Sequence, residues 1–383
     1  MGIVFLSHLQ ALGHGFLGYI VPFLFVLSLV VFFHELGHFL IARWCGVRIL
    51  VFSIGFGPEI VGFNDRHGTR WKIAAIPLGG YVKFFGDDSA ASTPDTAQLA
   101  AMDENEKSQS FVGQSVAKRA AIVVAGPMAN FLLAIAIFAG VFMLYGRQTM
   151  NARVDAVQAD SAAAAAGFQA GDLVTAIDGK PIADFADMQR VVSESAGQPL
   201  QITVKRDGAD RVLTATPLLT EEKDIFGNVR RIGLLGIRRS TAPEDLKFQP
   251  VSPPEAVWMG AQETWFVIDR TLSYLGGVVV GREAANQLGG PIRIAEMSGQ
   301  VATLGFVALI HLAAVLSVSI GLLNLFPIPL LDGGHLLFYG LEAVRGRPLS
   351  ERAQEVGFRI GLAIVLMLMI FATFNDIVHL ATS

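Results

Sequence analysis

The chain has 383 residues, of which 52% are hydrophobic and 16% are charged, and its mean hydropathy is +0.50. This composition is that of an integral membrane protein and excludes an ordinary soluble enzyme. The net charge of −4 provides no basic field for nucleic acid. The single cysteine, Cys45, excludes an internal disulfide and a cysteine-rich metal site, so a metal would have to be bound by His, Asp or Glu.

Four apolar stretches are long enough to cross a bilayer, which takes about 20 residues. They lie at residues 17–42, 120–145, 304–325 and 360–374. The first 15 residues contain no Lys or Arg, so we expect the first stretch to be a retained span rather than a cleaved signal peptide. The sequence therefore predicts a polytopic α-helical membrane protein with about four transmembrane helices.

Basic residues near the ends of the spans predict the orientation, because Lys and Arg are enriched on the cytoplasmic side. Nine Lys or Arg residues separate the first two spans and four separate the last two, whereas none precedes the first span or follows the last. We therefore expect the two basic segments in the cytoplasm. Both termini and residues 146–303 would then be extracytoplasmic.

The first cytoplasmic segment contains two β-rich runs. These runs, VRILVFSIGFGPEIVGF and TRWKIAAIPLGGYVKFF, flank a turn-forming sequence, NDRHG, at residues 64–68. Such a pattern is typical of a hairpin or a small sheet. The runs are very apolar for a cytoplasmic loop, so we expect residues 47–85 to be membrane-reentrant. Residues 87–110 are polar and small, which predicts a flexible loop.

The extracytoplasmic region should contain one compact domain of short strands and two small helices, predicted at residues 161–166 and 183–193. AGFQAGDLVTAIDGKPI (residues 166–182) resembles the core of a PDZ domain, and RIGLLGI (residues 231–237) resembles its carboxylate-binding loop and the following strand. PDZ domains bind a peptide C-terminus by adding a strand to a sheet edge. The alternative is a β-rich spacer. The resemblance implies peptide contacts at Gly233, Leu234, Leu235 and Gly236.

Residues 253–274 follow this domain and predict an amphipathic helix. Trp258 and Trp265 on it would lie at the membrane surface.

The first span contains HELGH at residues 34–38, an HExxH motif. On a helix, His34 and His38 project from one face, so the two imidazoles can hold one zinc ion while Glu35 polarises a water molecule. Titratable groups within a span are costly and usually functional. The alternative is a helix end whose polar groups meet water, but the apolar residues around the motif favour the metal site.

A catalytic zinc ion usually has three protein ligands and one open position. The best third ligand is Asp332, in NLFPIPLLDGGH (residues 324–335) directly after the third span. Spans one and three are predicted to run in the same direction, so their cytoplasmic ends lie at one depth, and Pro327 and Pro329 break the helix there. Asp332 could instead cap a helix, and His335 is an alternative ligand. The HExxH motif favours Asp332 as the ligand.

These motifs resemble those of the site-2 protease family of intramembrane zinc metalloproteases, and in particular the bacterial regulator of sigma-E protease type. The resemblance covers nearly the whole chain. It is carried by HELGHFLIAR (residues 34–43), GFGP (55–58), IPLGGYVKF (76–84), AGPMANFLLA (125–134), GGPIRIA (289–295) and NLFPIPLLDGGHLL (324–337). Members of this type often carry two PDZ domains, whereas we expect one here.

The resemblance implies a zinc endopeptidase of the bacterial cytoplasmic (inner) membrane. It would perform regulated intramembrane proteolysis of single-span membrane proteins, such as an anti-sigma factor or remnant signal peptides, after a first extracytoplasmic cut. The PDZ domain would act as a size filter. Two alternatives are a membrane metallohydrolase acting on a non-peptide substrate and a PDZ receptor without catalysis; the peptide-binding features and the intact motif favour the protease.

The resemblance also implies a role for individual residues. His34, His38 and Asp332 would bind zinc. Glu35 would be the general base and proton shuttle, and Asn324 would steady the substrate or the tetrahedral intermediate. The sheet at residues 47–85 would pair with an unwound substrate strand, and the positions expected to contact that strand are Gly55, Gly57, Gly79 and Gly80.

The predicted domain organisation alternates membrane and non-membrane segments. It comprises residues 1–46 (first transmembrane helix), 47–116 (reentrant β region and cytoplasmic loop), 117–146 (second transmembrane helix), 147–242 (PDZ domain), 243–303 (amphipathic and linker region), 304–345 (third transmembrane helix and LDG motif) and 346–383 (fourth transmembrane helix and C-terminus).

Overall fold

The computed structural model describes residues 2–86, 102–223, 229–239, 246–281 and 289–382. The helices within these ranges are α1 (Gly2–Trp44), α2 (Glu104–Gln109), α3 (Val116–Tyr145), α4 (Ala162–Ala165), α5 (Phe185–Glu194), α6 (Pro253–Val279), α7 (Pro291–Thr303), α8 (Phe306–Asn324), α9 (Asp332–Arg345) and α10 (Glu351–Thr382). The chain divides into two compact units, one comprising Met1–Gly140 with Val257–Ser383 and the other comprising Val141–Ala256.

The strands are short apart from the first two. They are β1 (Ile49–Asn64), β2 (Arg70–Phe84), β3 (Arg147–Met150), β4 (Val154–Val157), β5 (Leu173–Ile177), β6 (Lys180–Pro181), β7 (Leu200–Arg206), β8 (Ala209–Ala215), β9 (Leu218–Lys223), β10 (Val229–Leu234), β11 (Ile237–Arg239) and β12 (Leu246–Gln249).

Four helical segments in the described part of the chain are long and apolar enough to cross a membrane, and they overlap the four stretches predicted from the sequence. They are Leu17–Trp44, Val116–Tyr145, Phe306–Asn324 and Arg352–Ala381. Only 6% of the most apolar window of the last span is buried within the protein. Apolar side chains exposed over such a length are suited to contact with lipid.

The strands β1 and β2 form the predicted antiparallel hairpin, closed by a turn at residues 65–68. Both strands bend, so that residues 51–54 pair with residues 80–83 on one side and with residues 70–73 on the other. The two bent strands therefore supply the four segments of a small antiparallel sheet, in the order 59–64, 70–74, 49–54 and 80–84. Within the described residues, segment 80–84 is an edge of this sheet.

The bend in β1 depends on a glycine. Gly55 has a φ of +88°, and a Cβ atom there would lie 2.7 Å from the carbonyl oxygen of Ile76. Only glycine combines this backbone conformation with so close an approach. The sheet is anchored by Phe52, whose ring stacks on Trp71 at 4.2 Å and meets Phe39 of α1 edge-on at 5.6 Å. This packing fixes the sheet beside the first span.

Helices α2 and α7 of the first unit were not predicted from the sequence. Helix α2 lies in the predicted flexible loop and begins with a capping box, in which Asp103 and Glu106 accept each other's backbone N–H groups. The remainder of that loop, residues 87–101, lies outside the described residues. Helix α7 packs along α1, and its N-terminal amides at Gly290, Ile292 and Arg293 donate to the buried Asp376 of α10.

The third span ends at Asn324, and an irregular segment, residues 325–331, leads into α9. Pro327 and Pro329 break the helix here, as predicted, and Leu330 has a φ of +120°. An ion pair from the buried Arg119 of α3 to the partly buried Glu342, with an N–O distance of 2.7 Å, ties α9 to the second span. Asp332, the first residue of α9, is thereby held at a defined position.

The second unit is built around the sheet β6-β5-β7-β8. Strand β4 pairs with β11, β9 with β10, and β3 with β12. Side chains of the sheet form a core with Ala163 of α4 and Met188 of α5. The two short helices lie where the sequence predicts them, at Ala162–Ala165 and Phe185–Glu194.

A buried ion pair fastens this sheet. Asp172 is fully buried and accepts two hydrogen bonds of 2.7 Å from the Arg206 guanidinium. Burial by itself would raise the pKa of Asp172, but the hydrogen bonds from Arg206 and Gln169 outweigh burial and hold the pKa below its usual value of 3.8. We expect Arg206→Met to destabilise the unit by about 3–5 kcal/mol, because a buried carboxylate loses its partner. Native-state hydrogen exchange of β7 in the full chain measures this.

The lowered pKa of Asp172 also predicts that the stability of the second unit depends on pH. The depressed pKa means that the pair stabilises the folded unit fully above about pH 4 and that this is lost as the pH falls through the folded-state pKa. In the variant, lowering the pH neutralises the unpartnered carboxylate, so the difference between the two proteins should shrink. As a control, Arg190→Met removes the exposed pair with Asp187 and should cost less than about 1 kcal/mol. Equal effects of the two substitutions would contradict the prediction.

Candidate metal centre

Three ligand-type side chains from distant parts of the chain meet beside the irregular segment. His34 and His38 lie one turn apart on α1, and their Nε2 atoms are 3.2 Å apart. Asp332 Oδ2 lies 3.2 Å from His34 Nε2, and Oδ1 lies 3.6 Å from His38 Nε2. These three residues form the one such group of His, Cys, Asp or Glu found among the described residues.

The group has the dimensions of a zinc site. Ligand nitrogens bound tetrahedrally at their usual distance from zinc lie about 3.3 Å apart, close to the observed separation of the two Nε2 atoms. Asp332 Oδ2 is buried and accepts no hydrogen bond within the described part of the chain. A cation between the three side chains would satisfy this oxygen. Two imidazoles and a carboxylate are also a donor set that zinc accepts, so the residues fit the metal.

The outer nitrogen of His38 has a fixed partner. Its Nδ1 lies 2.9 Å from the carbonyl oxygen of Ile122 on α3. A carbonyl only accepts, so Nδ1 carries the proton and the lone pair of Nε2 is directed at the site. The second span therefore orients the ring of a residue on the first span.

Glu35 lies at the wall of a cavity of about 490 Å³ that it shares with His34, His38 and Asp332. The edge segment of the sheet lies beside Glu35, and its residues 80–82 line the same cavity. The approach is close, because a Cβ atom at Gly80 would lie 3.0 Å from Cγ of Glu35. The edge of the sheet, the acid and the three ligand-type side chains therefore face one volume.

Asn324 also reaches the centre. It is the last residue of the third span, and its Nδ2 lies 3.5 Å from His34 Nε2. His335, the alternative ligand, lines the same cavity but packs its ring against Phe358 at 5.4 Å and is not one of the three clustered groups.

The residues predicted to contact the substrate lie in three different places. Gly79 and Gly80 line the cavity at the metal centre. Gly55 and Gly57 lie at the bend of β1 and are not among its lining residues. In the second unit, a groove of about 140 Å³ is bordered by α5 and by Gly233, Leu234, Leu235 and Gly236.

A family model described as peptidase family M50 matches residues 22–368, which include the HExxH motif and the LDG segment. The chain belongs to peptidase family M50. Over 364 residues it is 55% identical to "Putative zinc metalloprotease Atu1380" of Agrobacterium fabrum, covering 95% of this chain and 97% of that one. It is 53% identical to "Putative zinc metalloprotease R01501" of Rhizobium meliloti (94% and 97% covered) and 43% identical to "Metalloprotease MmpA" of Caulobacter vibrioides (95% and 96% covered).

Three positions on the second span of this M50 peptidase contact the centre without having been assigned a role from the sequence. The carbonyl of Ile122 could not have been found, because a backbone group leaves no mark in the sequence. Gly126 faces the rings, and a Cβ atom there would lie 2.3 Å from His38 Nε2. Asn130 is fully buried beside His34. A polar residue inside an apolar span was the signal that could have singled it out.

Proposed function

We propose that this chain cuts single-span membrane proteins within the bilayer by means of a zinc ion held by His34, His38 and Asp332. The chain is a zinc metalloprotease of family M50, as the family match and the names of its relatives indicate, and it is a multi-pass membrane protein. The observation that carries the proposal is the meeting of these three side chains in a cavity next to apolar spans.

Zinc, when bound, lowers the pKa of a water molecule toward about 7 and polarises the scissile carbonyl. Glu35 takes the proton of the attacking water and passes it to the leaving amine, since it shares the cavity with the metal ligands. The amide of Asn324 donates to the developing oxyanion from the side of His34.

The substrate is an extended strand when it is cut, because a helical backbone hides its carbonyl groups. Segment 80–84 pairs with residues 49–54 on one side, and its other side borders the cavity. An unwound substrate pairs with this edge, as peptides do in strand addition. Glycine at positions 79 and 80 lets this edge lie close to Phe56 and Glu35, because a Cβ atom would lie 2.6 Å from the Phe56 ring at Gly79 and 3.0 Å from Cγ of Glu35 at Gly80. In this proposal the sheet is the membrane-reentrant element expected from the sequence.

The PDZ domain predicted at residues 147–242 lies within the second unit and receives a peptide C-terminus. The groove between α5 and the segment at residues 233–237 supports this, because it combines Met188 and Val192 with the backbone of a glycine-rich loop. The domain and both termini lie outside the bacterial inner membrane, and the domain admits substrates already trimmed by a first protease. An anti-sigma factor or remnant signal peptides are the substrates that fit this role.

Intramembrane proteolysis is tested with the purified full chain in liposomes and a reporter containing one transmembrane segment. We expect mass spectrometry to locate the cut inside that segment. Chelation of zinc should reduce cleavage to background, and added zinc should restore it, because no protein group replaces the metal's activation of water, which is worth several kcal/mol.

A second reporter, whose span is a run of Leu and Ala without Gly, Pro or Asn, serves as the matched control. Its cleavage rate should be lower by at least about 10-fold, because a segment of strong helix-forming residues is harder to unwind. Cleavage only outside the span, or at a rate that chelation does not change, would refute the proposal.

A further inference from the structure

Asn130 of the second span is completely buried and lies behind the metal centre. Its amide Nδ2 lies 3.4 Å from Nδ1 of His34, and within the described residues no other hydrogen-bond partner is found for that ring nitrogen. The other amide atom, Oδ1, is buried without a hydrogen-bond partner in the described chain. This oxygen can therefore accept a hydrogen bond in another arrangement of the amide without breaking a bond found in the described chain.

The identity of the atom that faces His34 depends on which ring nitrogen carries the proton. When Nε2 is protonated, Nδ1 has a lone pair and accepts from the amide of Asn130, 3.4 Å away. When Nε2 turns its lone pair to a cation, the proton must sit on Nδ1. An amide NH2 group cannot accept a hydrogen bond from the Nδ1–H group. The carbonyl oxygen of the same amide can accept it after the amide turns by 180°.

We propose that Asn130 is the positioning residue of His34, with Oδ1 accepting the Nδ1–H bond when zinc is bound. The inference rests on the proposed zinc ligation by His34. It gives the two histidines equivalent supports, because His38 is held in the same way by the Ile122 carbonyl. Both acceptors lie on α3, so the second span selects the tautomer of both rings. Hydrogen-bond partners of metal-binding histidines typically contribute about 10- to 100-fold to metal affinity.

The backbone of Asn130 lies at the contact between the second and third spans. Ser317 of α8 is buried, and its hydroxyl group donates to the backbone carbonyl oxygen of Asn130 at 2.9 Å. A Cβ atom at Gly321 would lie 3.1 Å from Cβ of Asn130, so the two helices touch at this level. The hydrogen bond from Ser317 does not involve the side-chain amide of Asn130, which faces His34.

The test measures zinc affinity of the full chain in detergent by competition with a chromophoric chelator, with zinc alone as the probe. Asn130→Leu keeps the volume but removes the acceptor, so we expect zinc to bind about 10- to 100-fold more weakly. Asn130→Asp keeps an acceptor oxygen in either protonation state, so its affinity should stay within about 3-fold of the native chain or rise.

The control is Ser317→Ala, which removes a buried hydrogen bond at the same helix contact without touching the amide. It should lower thermal stability but leave zinc affinity unchanged. The proposal is overturned if the leucine variant binds zinc as tightly as the native chain, or if the alanine variant weakens zinc as much as the leucine variant does. Should the leucine variant not fold, the aspartate variant decides, because a 10-fold loss there contradicts an acceptor role. If zinc affinity follows this pattern but no substrate is cut, the inference stands and the proposed protease function fails.

Discussion

Glu35→Gln should reduce intramembrane cleavage by at least about 100-fold while zinc remains bound at one ion per chain. A positioned acid–base group contributes about 100- to 10,000-fold to catalysis, and glutamine keeps the size of the side chain but cannot take up a proton. The metal should stay because Glu35 is not one of the clustered ligand-type groups. Cleavage of the single-span reporter in liposomes and metal analysis of the same preparation measure both effects.

The matched control is Glu355→Gln on α10. Glu355 forms an exposed pair with Arg359, one turn away, so its loss should change the cleavage rate less than about 2-fold. A Glu35→Gln variant with native activity would remove Glu35 from the mechanism. Loss of zinc from that variant would instead indicate that the carboxylate supports the metal directly.

Gly126→Ala should weaken zinc binding by about 10- to 100-fold, although it adds a single methyl group. The new Cβ atom would lie 2.3 Å from His38 Nε2 and 2.9 Å from Cε1 of His34, so one of the rings or the second span must shift. Overpacking of this kind costs about 1–3 kcal/mol, and about 1.4 kcal/mol corresponds to a tenfold change in affinity. Chelator competition for zinc in the full chain measures the change, and cleavage should fall with it.

Gly140→Ala on the same helix provides the control, because no atom lies within 4 Å of a Cβ atom there. Alanine is favoured over glycine within a helix by up to about 1 kcal/mol, so this variant should be slightly stabilised and should bind zinc normally. Native zinc affinity in the Gly126→Ala variant would mean that the second span does not form the wall of the metal site as closely as described.

The spans and the HExxH pair could be predicted because their signals are local. Apolar residues over the length of a bilayer make a helix without reference to the rest of the chain, and positions four apart on that helix share a face. Asp332 was predicted from the sequence by a weaker route, since the prediction required a topology for two spans and the recognition that two prolines end the third. The structure brings its carboxylate within 3.2 Å of His34.

The bent sheet was predicted only in outline. Alternating apolar runs around a turn indicate a hairpin, but the double pairing of residues 51–54 depends on bends at Gly55 and Gly79 that a strand pattern does not reveal. Helix α7 was missed for a similar reason. Its N-terminal amides are satisfied by Asp376, 83 or more residues away, and its first residues carry no capping side chain of their own.

By itself, the sequence determined the membrane class, the four spans, the metal-binding residue types and the resemblance to a protease family, because each depends on composition or on spacing within one element. Only the tertiary structure decided what surrounds the two imidazoles. The Ile122 carbonyl, the bare backbone at Gly126 and the Asn130 amide come from a different span, and their distances to the rings depend on how closely two helices pack. Contacts of this kind are set by the shapes of both partners, so neither segment of sequence encodes them alone.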